Sequence, residues 1–113
     1  MAAWTIKVRA GSKVERARHD DLDAALADVE GRIRELERSA TGRTVKSPFG
    51  RDYEPVRQVI GRIELAGPGR VRAGVDVRGD GSSEVWTGRL RREVVERRRK
   101  ESALDALRRA ASG

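Results

Sequence analysis

Cysteine is absent from the 113 residues of the chain. Without a thiol there is no disulfide, no thiolate nucleophile and no Cys-ligated metal site. Histidine occurs once, as His19 beside Asp20. A general base needs a positioned proton acceptor near neutral pH, so this pair is the one candidate for catalysis. A lone His in a charged stretch near a helix start reads more simply as structural. The glycine-rich patterns that cradle phosphates in P-loop and dinucleotide proteins are missing. Aromatic residues make up 4%: Trp4, Phe49, Tyr53 and Trp86. No stretch approaches the roughly 20 apolar residues of a membrane span. The first residues also lack the apolar core of a signal peptide. The sequence therefore reads as a cytoplasmic protein that is not an enzyme, with no cofactor, no metal and no membrane partner.

What remains is charge. Lys and Arg number 25 against 18 Asp and Glu, a net of +7. The excess is uneven. Residues 1–54 hold 11 bases and 10 acids, whereas residues 55–113 hold 14 and 8. Such asymmetry points to a polyanion as partner of the second half. A composition rich in Arg, Ala, Gly and Val also follows from GC-rich codon usage, so charge alone does not specify binding. Hydrophobic residues, at 37%, are few for a globular chain. Their periodicity nevertheless sets the chain apart from a disordered one, and its length suits a single small domain.

Along the chain, Trp4, Ile6 and Val8 alternate with Thr5, Lys7 and Arg9, which predicts a half-buried strand over 3–9. Residues 12–19 read as a polar connection. Asp20 is the expected N-cap of a helix, with Asp23 in its first turn. Leu22, Ala25, Leu26, Val29, Ile33, Leu36 and Ala40 then follow the three-four spacing of one helical face. Gly31 sits inside this helix and Gly42 is the expected stop. Residues 43–55 contain Pro48, Gly50 and Pro55 and read as a loop carrying Phe49 and Tyr53. Those two aromatics either lie over the core edge or stand exposed for stacking.

Three strands are predicted next, over 56–65, 70–78 and 83–90. The turns fall at 66–69 and at Gly79-Asp80-Gly81-Ser82. The second of these turns carries Arg78-Gly79-Asp80, which reads as turn chemistry. A second helix is expected from about Arg92. Its apolar stripe, Leu90, Val94, Leu104 and Leu107, is interrupted by Arg97 and Glu101. Ser102-Ala103-Leu104-Asp105 accordingly offers a capping-box restart. The order β-α-β-β-β-α implies an α+β fold, a mostly antiparallel four-stranded sheet with two helices on one face.

The candidate site is a basic constellation. Arg70, Arg72 and Arg78 line one face of the third strand, Arg89, Arg91 and Arg92 follow the fourth, and Arg98 and Lys100 are placed on the final helix. Guanidinium groups bind phosphate bidentately, and helix N-terminal amides near Arg91 and Arg92 would add to such a site. Thr87-Gly88-Arg89-Leu90-Arg91-Arg92-Glu93 is similar to the basic cluster of the double-stranded RNA-binding domain. Ser102-Ala103-Leu104-Asp105-Ala106-Leu107 is similar to that family's final helix, so that residues 56–110 resemble the domain. The resemblance implies that Arg91 and Arg92 grip phosphates across the major groove while the first helix lies in a minor groove. No His stands in the turn 66–69 where the family presents one, and the first helix here is acidic.

The preferred expectation is a non-enzymatic module that binds RNA or DNA through phosphates. The alternative is a protein-interaction or self-association domain that pairs through a sheet edge at Trp4–Val8.

Overall fold

The computed structural model describes residues 3–39, 45–46, 52–53, 58–68, 71–88 and 92–112. The elements in chain order are β1 (Trp4–Ala10), β2 (Lys13–His19), α1 (Leu22–Ser39), β3 (Val45–Lys46), β4 (Asp52–Tyr53), β5 (Val59–Ala66), β6 (Arg72–Arg78), β7 (Ser83–Thr87), β8 (Glu93–Val95) and α2 (Ala103–Ser112). Six strands form one sheet in the order β2-β1-β5-β6-β7-β8, every neighbouring pair antiparallel. β3 and β4 pair with each other.

The fold is α+β as the pattern predicts, but the sheet has six strands rather than four. Both additional strands lie at its edges. β2 occupies the stretch expected as a polar connection. It folds back on β1 through Gly11, whose φ of 60° suits a residue without a side chain. An edge strand filled with charge has no apolar alternation to betray it. β8 occupies the start of the expected long helix, with Glu93, Val94 and Val95 paired to Thr87, Trp86 and Val85. Pairing on both sides also removes the edge expected at Trp4–Val8, because β1 lies between β2 and β5.

Antiparallel partners share a face, so the registers sort the sheet into two surfaces. One surface carries Ile6, Leu65 and Ala73 in one row, and Val8, Ile63, Val75 and Val85 in the next. These residues form one core with Ala25, Leu26, Val29, Ile33 and Leu36 of α1 and with Ala103, Ala106, Leu107 and Ala111 of α2. Both helices therefore pack on this surface. Each fully buried Leu or Ile here contributes about 1.5–3 kcal/mol relative to exposure. Leu36 packs on Gly61, where a Cβ would come within 2.6 Å of its methyls.

Helix termini follow local chemistry. Asp21, one residue beyond the expected Asp20, caps α1 by accepting from the Ala24 amide at 2.8 Å. Ser102 and Asp105 form a reciprocal capping box. The Asp105 amide donates to Ser102 Oγ at 3.0 Å, and the Ser102 amide donates to Asp105 Oδ2 at 3.3 Å. The restart read from these residues is thus the true start of α2, and no helix begins near Arg92. The turn after β6 is the expected one. Asp80 Oδ1 accepts from the Ser82 amide at 2.9 Å, and Gly81 has a φ of 86°. Gly42, Phe49 and the side chain of Tyr53 lie outside the described residues.

Candidate functional site

No described helix lies on the second surface of the sheet. Its rows read Arg18–Thr5–Ala66–Arg72, Arg16–Lys7–Glu64–Gly74–Trp86–Val94, and Val14–Arg9–Arg62–Asp76–Glu84. Arg78 continues β6 on the same surface, across from Val59. Antiparallel pairing brings together bases from four separate stretches of sequence.

The centre of this open face is a sealed network. The Trp86 ring lies on Gly74 and is 3% exposed. Its Nε1 donates to Asp76 Oδ1 at 3.1 Å. Arg62 donates to the same carboxylate through Nε (2.8 Å) and Nη2 (3.1 Å). The hydrogen bond to Asp76 outweighs partial burial and raises the Arg62 pKa above its ordinary value. Asp76 is 6% exposed, and both of its oxygens are engaged, as a buried carboxylate requires. Arg92 closes the network from outside, its guanidinium 4.6 Å from the Trp86 ring centroid and 3.7 Å from Glu64. Arg78 pairs with Glu84 at 3.3 Å.

The three acids of the open face among the described residues are thus each held by an arginine: Glu64 by Arg92, Asp76 by Arg62, Glu84 by Arg78. Lys7, Arg9, Arg16, Arg18 and Arg72 remain, with no acidic partner among the described residues. Residues i and i+2 of a strand stand ~6.7 Å apart and neighbouring strands ~4.8 Å apart, so Lys7, Arg9, Arg16 and Arg18 form a close lattice on β1 and β2, while Arg72 stands three strands from Arg18, roughly 14 Å away.

Of the expected site residues, Arg72, Arg78 and Arg92 are on this face. Arg70, Arg89 and Arg91 lie outside the described residues. Arg98 and Lys100 are exposed, but on the connection between β8 and α2 rather than on a helix. Glu101 anchors that connection by accepting from the Arg98 amide at 2.9 Å and from Arg109 Nε and Nη2 at 3.0 and 2.9 Å. Sequence reasoning missed Lys7, Arg9, Arg16 and Arg18. Lys7 and Arg9 were visible as the polar phase of an alternating strand. Arg16 and Arg18 became legible only once β2 was known to be a strand.

His19 does not pair with Asp20. Its Nε2 donates to Asp28 Oδ2 at 2.7 Å, Arg32 Nε donates to Asp28 Oδ1 at 3.0 Å, and Arg32 also pairs with Glu15. This chain ties β2 to α1 on the helix side. Burial pushes the Asp28 carboxyl up, but the hydrogen bonds from His19 and Arg32 outweigh it, and the pKa lies below the ordinary value. The acids at the start of α1 are likewise occupied: Asp21 caps the helix and Asp23 accepts from Arg108 at 2.6 Å. Among the described residues no group of three or more acids or His is placed to hold a metal ion. No helix among them is long and apolar enough to cross a membrane.

Fold and face together define a class, an antiparallel α+β sheet with one helix-covered surface and one basic open surface. Comparison of the chain with protein-family models, with curated proteins and with solved structures gives no match.

Proposed function

We propose that the chain is a non-enzymatic nucleic-acid-binding module that holds phosphates on the open face of its sheet. The observation that carries this reading is the set of cations Lys7, Arg9, Arg16 and Arg18 on β1 and β2, with Arg72 farther along the same face, none of which has an acidic partner among the described residues. Like charges placed on neighbouring strands repel by a few tenths of a kcal/mol per pair. A polyanion relieves that repulsion and releases its own counterions. Trp86, the described aromatic of this face, is covered by Arg92 and offers no ring surface to a base. Contacts would therefore run to the backbone, and binding would carry little sequence information. Arg72 keeps the role the sequence suggests, joined by the β1 and β2 cations, whereas Arg92 is engaged by Glu64 and the Trp86 ring.

The test is a salt titration of binding to labelled RNA and DNA, with the native chain and a Lys7→Glu/Arg16→Glu variant. Five phosphate contacts give a slope of log K against log salt of about −4.5 on duplex, at roughly 0.9 per phosphate. The double reversal should weaken binding at least tenfold while leaving the circular dichroism spectrum unchanged. Absence of binding at low salt, or equal binding by the variant, would remove the reading.

The self-association alternative is less favoured. Antiparallel pairing of β2 with a second copy about Arg16 sets Arg16 against Arg16 and Lys13 against His19, an edge defended by charge.

A further inference from the structure

At the hairpin end of the open face lies a shallow concavity of about 340 Å³, lined by Arg9, Gly11, Val59, Ile60, Gly61 and Arg62. Three features set it apart from the rest of the lattice. Arg9 and Arg62 are direct cross-strand partners, so two guanidinium groups face each other across one rung. Arg62 commits Nε and Nη2 to Asp76, whereas Arg9 is exposed and has no partner among the described residues. The rung thus carries one net positive charge aimed at the hollow, where like charges opposite each other are unfavourable. The register of β5 against β6 shifts between Val59 and Gly61. Bulges of this kind re-aim side chains and open space. Gly11 leaves one wall without a side chain, Gly61 lines the hollow with backbone because its missing side chain faces Leu36 on the other surface, and Val59, 40% exposed, supplies an apolar ledge beside the charge.

We infer that this hollow seats a terminal phosphate monoester, with the sugar of the end nucleotide against Val59 and Ile60. The inference rests on the reading of the open face as a nucleic-acid surface and deepens it. A volume of this size lies at the lower end of small-ligand sites, and the hollow's shallowness leaves the rest of a strand free to run on over the face. A monoester carries close to two charges at neutral pH, against one for a phosphodiester. A concave seat beside Arg9 therefore favours the chain end over the backbone, and the bidentate geometry of guanidinium suits the exposed oxygens of an end group. Backbone phosphodiesters lie instead along Lys7, Arg16, Arg18 and Arg72.

The experiment compares oligonucleotides of one sequence carrying a terminal phosphate or only terminal hydroxyls. Anisotropy gives affinity, and amide shifts of Gly11 and Gly61 report on the seat. A nucleoside monophosphate and inorganic phosphate serve as small probes. The phosphorylated end should bind about tenfold tighter, equivalent to ~1.4 kcal/mol. Arg9→Gln should erase that preference while the hydroxyl-ended strand loses only the share of one cation. Equal affinities for the two ends, or a preference that survives Arg9→Gln, overturn the seat and leave the open-face reading standing. Shifts of the Gly11 and Gly61 amides by the monophosphate without any oligonucleotide binding would support the seat and sink the open-face reading. Silence from every probe removes both.

Discussion

The guanidinium of Arg92 stands 4.6 Å from the centre of the Trp86 ring, and the same ring lies against Gly74. The indole thus touches both a cation and a bare backbone. A Cβ at position 74 would overlap the ring and come within 2.6 Å of the Ile63 carbonyl oxygen. Backbone cannot yield as a flexible side chain can. Gly74→Ala should cost about 1–3 kcal/mol, the usual range for overpacking a filled site. Urea unfolding followed by tryptophan fluorescence measures it, and a variant of native stability would mean that Trp86 has another place to go.

Asp76 holds two neighbours at once, Arg62 and the indole of Trp86. Asp76→Ala leaves a half-buried guanidinium and a buried N–H without an acceptor, and should destabilise by roughly 2–4 kcal/mol. Asp76→Asn retains an oxygen for the indole and loses the charge toward Arg62, so its effect should be distinctly smaller. Equal losses in chemical denaturation would show that the carboxylate charge, rather than acceptor geometry, dominates.

Glu101 is the acid-sensitive point of the α2 connection. Hydrogen bonds from Arg109, and then from the Arg98 amide, lower its pKa from 4.5 to about 2. A depressed carboxyl contributes stability that is full above the unfolded value and fades as pH falls toward the folded one. The native chain should therefore lose the Glu101 contribution between about pH 4.5 and 2. Glu101→Gln should be less stable at neutral pH and should show a shallower decline through that window. Parallel stability–pH curves for the two proteins would contradict the assignment.

Gly31 lies inside α1 with nothing within 4 Å of the position a Cβ would take. It is tolerated there and serves no close packing. Gly31→Ala should stabilise by about 0.8–1 kcal/mol, the helix-propensity difference between the two residues. A rise in Tm on thermal unfolding would register this, and a fall would reveal a role for Gly31 that the packing of α1 does not show.

The strands that carry the core were legible in residue order because burial on one face imposes a period of two. Trp4, Ile6 and Val8 announced β1, and Ala73, Val75 and Val77 announced β6. α1 was equally plain from its three-four spacing. The edge strands were hidden for the converse reason. β2 has solvent at its free edge and bears charge on both faces, so KVERARH carries no period. The Val94–Leu104 stripe mimicked a helix, although Val94 is 60% exposed on β8 and Leu104 lies half-buried on α2.

By itself the sequence determined an α+β chain without thiols, with a Val/Leu/Ile/Ala core, a capping box at Ser102 and a surplus of arginine. Local periodicity and composition suffice for these properties. Tertiary structure decided which arginines stand together. Arg16 and Arg18 reach Arg72 through two intervening strands, and Asp76 consumes Arg62 while Arg9 beside it stays unpaired. Those relations depend on register between strands up to half the chain apart, and register is set by the packing of the opposite face.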